Sequence, residues 1–115
     1  MQTMIELTDY VRGKAKDYVT ETGDTIAEFP LSIVDFVIEH VSMNCHFPSH
    51  FIEKNIVSDL SKGKNTLAMA CVEIYGKVGA EGEKSHSENG VSRAYDSSWI
   101  SPSIYNAFPN YVSIL

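Results

Sequence analysis

Leu31-Ser32-Ile33-Val34-Asp35-Phe36-Val37-Ile38-Glu39-His40-Val41-Ser42-Met43 is the stretch on which the fold class turns. Its β-branched residues would suit a strand, and hydrophobicity alone does not separate a buried strand from a buried helix. Length and spacing do. The run is much longer than a typical strand of about 5–6 residues, and Val34, Val37, Ile38 and Val41 recur at the three- and four-residue intervals of a helix. With Leu31, Ile33 and Phe36 added, apolar side chains cover more than half of a helical wheel, so the helix is expected at the centre of a bundle. Pro30 is assigned to its first helical position, where a missing N–H does no harm. Asn44 and Pro48 bracket the break that follows.

Toward the N-terminus, Thr3-Met4-Ile5-Glu6 has the spacing of a capping box. Leu7, Tyr10, Val11, Ala15, Tyr18 and Val19 then follow at helical intervals, which predicts an amphipathic helix over about residues 4–19. The polar stretch from Thr20 to Phe29, with Gly23 inside it, reads as the connecting loop. Toward the C-terminus, Pro48-Ser49 is expected to open a third helix with Phe51, Ile52, Ile56, Val57 and Leu60 on its inner side, stopping near Gly63. A fourth helix is expected over 65–78, where Ala68, Cys71, Val72 and Tyr75 form a stripe with small residues suited to close packing. Leu67, Met69 and Ile74 widen its apolar surface. The expected fold is therefore mainly α: a small bundle of about four helices over 1–78, a projecting β-hairpin or loop over 79–98, and a short helix with an apolar tail over 99–115, all in one domain.

The chain has 115 residues, enough for one compact core but not for two. A hydrophobic content of 43% with aromatic residues throughout argues for folding rather than disorder. The formal charge of -6 argues against sequence-independent binding to a phosphate backbone, which needs clustered Lys and Arg. Asp9, Asp17, Glu21, Asp24 and Glu28 are spread along the first thirty residues as a solvated face, or as an acidic wall beside DNA that must slide rather than stick. Cys45 and Cys71 lie in apolar helical segments and read as small buried thiols, as expected of a protein made in the cytoplasm. No apolar run approaches the roughly 20 residues needed to cross a bilayer, and no basic region precedes an apolar one at the start, so neither secretion nor a membrane partner is expected.

Several chemical readings fail on spacing. His40, Cys45, His46 and His50 are close in sequence but match no zinc pattern, lacking a Cys-x-x-Cys pair or a second half-site. Ser85, His86, Ser87 and Glu88 contain nucleophile, base and acid types, yet adjacent residues rarely converge on one substrate atom. Gly79-Ala80-Glu81-Gly82-Glu83-Lys84 lacks the Gly-Lys-Ser/Thr order of a phosphate loop and follows a helix rather than a strand. The expectation is a protein without enzymatic activity, cofactor or metal.

Two stretches are left. From Gly79 to Tyr95, three glycines and the Asn89-Gly90 pair signal a tight hairpin turn. Val91, Arg93 and Tyr95 follow that turn at strand spacing. At the end, Ser101-Pro102 supplies an N-cap and first residue for a short helix through Ala107, and Pro109 stops it. Trp99, Tyr95, Tyr105, Phe108 and Tyr111 make this last third aromatic. The closing Tyr111-Val112-Ser113-Ile114-Leu115 has no charged side chain, so the tail is expected to dock on its own domain or on a partner.

The glycine-glutamate-glycine, serine-rich run Gly79–Tyr95 after the last long helix, together with Ile100-Ser101-Pro102-Ser103-Ile104 through Pro109 to Leu115, resembles the small head-tail connector (adaptor) proteins of long-tailed double-stranded DNA phages. Tyr105-Asn106-Ala107 stands where that family is more basic. The resemblance implies a structural role in the virion neck, after assembly in the host cytoplasm. Its elements are a ring of typically about twelve copies beneath the portal protein, a stopper or head-completion protein on the other face, and DNA passing through the lumen without sequence-specific binding. In that setting Tyr105, Phe108, Tyr111, Val112, Ile114 and Leu115 are expected to contact the portal or a neighbouring subunit. Glu83, Lys84, His86, Glu88, Asn89, Gly90, Arg93 and Tyr95 would line the lumen or meet the next ring. The competing expectation is a small acidic helical interaction protein that acts as a monomer.

Overall fold

The computed structural model of the chain describes residues 3–23, 25–85 and 99–111, the side chains of 78–85 excepted. The protein is mainly helical, and no strand occurs among the described residues. The elements are α1 (Met4–Glu21), α2 (Leu31–Cys45), α3 (Glu53–Ser61), α4 (Lys64–Ser85) and a one-turn α5 (Pro102–Tyr105).

Local signals set the first helix. Thr3 Oγ1 accepts from Glu6 N and Glu6 Oε1 accepts from Thr3 N, both at 3.1 Å, so two of the donors left over at the helix start are satisfied by one four-residue motif. Leu7, Val11, Ala15 and Val19, four residues apart, form the fully buried stripe. The helix ends where Gly23 takes φ +105°, a conformation that favours glycine.

The decisive stretch is helical and central: Ile33, Val34, Phe36, Val37, Ile38, Val41 and Cys45 are all buried. Leu31 is the exception, with 43% exposure. Pro30 is the N-cap rather than the first helical residue, since its ψ of 124° is extended. At the other end His46 caps the helix in the left-handed region at φ 53°, its N–H bonding to Met43 O at 3.3 Å.

Two boundaries differ from expectation, each for a local reason. The third helix begins at Glu53 rather than at Pro48-Ser49. Asn55 Oδ1 accepts from Ile52 N at 3.0 Å, and this side-chain cap fixes the start. Ile52 thereby falls outside the helix and is 63% exposed instead of facing inward. The fourth helix does not stop at Val78; it continues through Gly79 and Gly82 to Ser85. Glycine lowers helix propensity by only about 1 kcal/mol per residue relative to Ala, which an established helix can absorb. The first seven residues of the expected hairpin or loop are therefore helical, and the remainder of it, from His86 on, lies outside the described residues.

The helices share one core. Tyr10 Oη donates to Asn65 Oδ1 at 2.8 Å near the start of α4, while Tyr18 shares a groove with Val72 farther along, so α1 and α4 run side by side in the same direction. Phe29, just before α2, packs its ring on Tyr75 in the middle of α4, with centroids 5.2 Å apart. Phe47, just after α2, packs on Tyr111, whose hydroxyl donates to Asp59 ahead of α4, and α2 thus runs opposite to α4. Arg12 ties down the α1–α2 connection, with Nε donating to Phe29 O at 2.6 Å and Nη2 to Glu28 Oε1 at 3.1 Å.

Candidate functional site

The described part of the C-terminal segment, Trp99 to Tyr111, folds back along α4 in the opposite direction. The register follows from four contacts. Lys77 Nζ donates to Trp99 O at 2.9 Å, Ser101 Oγ to Glu73 Oε1 at 3.3 Å, Phe108 lies on Gly63, and Tyr111 Oη donates to Asp59 Oδ2 at 2.6 Å. Between the first and last of these, α5 rests against α2 and α4. Ser101 precedes α5 in an extended conformation and Pro102 supplies its first residue, as the sequence signals. Ile100, Ile104 and Phe108, four residues apart, are all buried in the common core. The segment is thus fixed by one apolar row with a polar contact near each end.

Gly63 makes the closest approach. A Cβ there would stand 2.6 Å from both Cε1 and Cζ of Phe108, inside any permissible contact. The backbone of Gly63 has no left-handed requirement; what it provides is room for the ring. Its carbonyl also accepts from Leu67 N at 2.9 Å as α4 begins.

Past Phe108 the segment reaches an aromatic cluster at the α2–α3 junction. Tyr111 is tilted against Phe47, with centroids 6.0 Å apart, and meets Phe51 edge-on at 5.4 Å. Phe47 and Phe51 stack at 5.9 Å, and His50 packs edge-on against Phe51. Such pairs add to the area they bury. Asp59 is 9% exposed and carries the polar end of this cluster, with Lys62 Nζ at 3.7 Å from Oδ1. The bond to Asp59, then burial, raises the Tyr111 hydroxyl above its ordinary range. Burial, then the Asp59 charge, pushes the Cys45 thiol up to about 11. Cys71 is raised by burial alone. Both thiols are buried and free of disulfide bonds.

The predicted contact residues separate into three groups. Phe108 is buried in the chain's own core, and Tyr105 is half-buried against it with its hydroxyl raised by burial. Tyr111 is half-buried and held by Asp59. Glu83 and Lys84 lie on the last turn of α4, while Val112, Ile114, Leu115, His86, Glu88, Asn89, Gly90, Arg93 and Tyr95 lie outside the described residues. The run Gly79–Lys84 that superficially suggests a phosphate loop is helical.

Among the histidines, His40 has Nδ1 3.0 Å from Phe36 O and its ring packed on Phe36, while His46 serves as a helix cap. Among the described residues no three His, Cys, Asp or Glu side chains come together as a metal site. No described helix is long and apolar enough to cross a membrane.

Sequence reasoning did not identify Asp59 as the partner of Tyr111 or Gly63 as the seat of Phe108. The only trace of the first was an acid between the inward-facing Val57 and Leu60; Gly63 read simply as a helix stop. A second surface feature also went unseen. An open groove of about 600 Å³ between α1 and α4 is lined by Tyr18, Glu21, Thr22, Met69, Val72 and Glu73. Met69, expected to widen the inner face of α4, is 52% exposed there.

Comparison with family models, curated proteins and solved structures finds no match to this chain.

Proposed function

We propose that this protein is a non-enzymatic connector subunit of a phage neck. Copies form a ring of about twelve beneath the portal protein and present the opposite face to a stopper or head-completion protein, with DNA passing through the lumen. One observation carries the reading. The elements follow the order the sequence resemblance implies: a helical body, a last long helix that leads to the 86–98 segment, and then a short proline-led helix. The last helix runs about 16 Å from Ile74, its final buried side chain among those described, to Ser85. That length favours a role in which the 86–98 segment reaches the lumen or the next ring.

The docked segment refines which terminal residues serve a partner. Ile104 and Phe108 belong to the subunit's own core, and Tyr111 is bonded to Asp59. The portal contact is accordingly assigned to the charge-free Val112-Ser113-Ile114-Leu115, together with the half-buried Tyr105 and Tyr111. Contacts of this size are individually weak, and a ring makes many of them act together.

The test is attachment to portal-bearing particles that lack this protein, imaged end-on. The full chain should add a ring coaxial with the portal, and a chain without Val112–Leu115 should keep its helical spectrum but fail to attach. Normal attachment of the shortened chain would overturn the tail assignment. A full chain that stays monomeric and ignores the portal would overturn the connector reading in favour of an acidic interaction protein.

A further inference from the structure

We infer that the surface between α2 and α4 which holds residues 99–111 is also an acceptor for the same segment of a second copy, so that neighbouring copies can join by exchanging their C-terminal segments. The argument starts from where the contacts lie. Trp99 meets Lys77, Ser101 meets Glu73, Ile100, Ile104 and Phe108 enter the core, and Tyr111 reaches Asp59. Each of these contacts is made by a residue beyond position 98. The acceptor therefore recognises the segment without reference to which chain carries it, and a second copy offers identical groups in identical register.

Chain length permits the exchange. Ser85 lies about 12 Å along α4 from Lys77, and Trp99 is back beside Lys77. The chain joining Ser85 to Trp99 can extend to about 45 Å, several times the span that docking on its own body requires. The covalent connection thus does not dictate a self-docked segment.

Concentration selects between the two arrangements. A connection of this length holds the segment near its own acceptor at an effective concentration on the order of millimolar. Free copies at micromolar concentration are accordingly self-docked by about a thousandfold. Copies held side by side in an assembly present the neighbouring acceptor at a comparable local concentration, and exchange then competes without any new contact. This exchange needs only two copies of the chain and stands apart from whether a portal is the assembly's other partner.

The experiment uses two full-length variants, Glu73→Cys and Ser101→Cys, and a short bis-maleimide cross-linker. The native Cys45 and Cys71 are buried, and each single variant alone serves as the control for their reaction. Carrying both substitutions in one chain should give an internally linked monomer at micromolar concentration. Mixing the two single variants at about millimolar concentration, with warming to allow undocking, should give a covalent pair containing one chain of each kind, in roughly a quarter of the yield of the internal product, since about half of the acceptors exchange and about half of those meet the other variant. The same mixture carrying Phe108→Ala should lose most of that pair, because the apolar row that docks the segment is broken. Two results overturn the inference: no pair from the mixture under conditions in which the double variant links internally, or a pair formed equally well with Phe108→Ala, which would mean collision rather than docking. Neither readout involves a portal, so the outcome is independent of the proposed attachment.

Discussion

Substituting Gly63 by Ala should destabilise the protein, although Ala is ordinarily the better residue in and around helices. Two terms compete. Gly63 has no left-handed backbone requirement, so Ala would restrict the unfolded chain and gain about 0.4–1 kcal/mol. Against this, its Cβ would stand 2.6 Å from Cε1 and Cζ of Phe108. That ring is 7% exposed and lies in a row with Ile104 and Ile100, so it can retreat only by leaving the core or lifting the segment. Overpacking of this kind costs about 1–3 kcal/mol. The steric term is the larger, and the expected net loss is about 1–2 kcal/mol.

Phe108→Leu isolates the cause. Leucine ends short of the two offending ring atoms, so in that background Gly63→Ala should be neutral or mildly stabilising. The coupling between the two sites should be about 1–3 kcal/mol. Urea denaturation gives all four stabilities of the cycle. Trp99 is the only tryptophan and sits on the docked segment, so its fluorescence reports the segment while far-ultraviolet dichroism reports the helices. A Gly63→Ala variant as stable as the parent, or one equally damaging with Leu at 108, would refute the close-approach account.

Two further perturbations act on other parts of the structure. His46→Gly should stabilise the protein by about 0.5–1 kcal/mol, because His46 holds φ 53° at the end of α2 and a glycine adopts that conformation without strain; a loss of stability in thermal unfolding would show that the imidazole makes a contact worth more than the strain. Docking of the C-terminal segment should weaken in alkali. The Tyr111 hydroxyl is raised in the folded chain, so its contribution is complete below the ordinary tyrosine value of about 10 and declines as pH rises through the higher folded value. Cys45 acts in the same direction as its thiol titrates, up to about 11. Tyr111→Phe should remove the tyrosine part and leave the Cys45 part, as followed by Trp99 quenching against pH; an unchanged profile would exclude the Asp59 bond as its source.

The helices themselves were legible because their signals are local. Thr3 and Glu6 cap α1 through atoms three residues apart, and the row Leu7, Val11, Ala15, Val19 repeats with the helix turn, so sequence spacing alone specifies them. The same holds for Val34, Val37, Ile38 and Val41 in the stretch that decides the fold, and for Ser101-Pro102 at α5. Where local signals conflict, as glycines do against an established helix in α4, sequence reading placed the boundary too early. The first half of the apolar terminus shows the larger limit. Its sequence required a covering surface but was indifferent to whose, because burying Ile104 and Phe108 yields the same free energy against any apolar partner. Only the tertiary structure decided this. It brought Gly63 under Phe108 and Asp59 to Tyr111, pairs about fifty residues apart whose distance in space follows from how α2, α3 and α4 pack and is encoded in no short stretch.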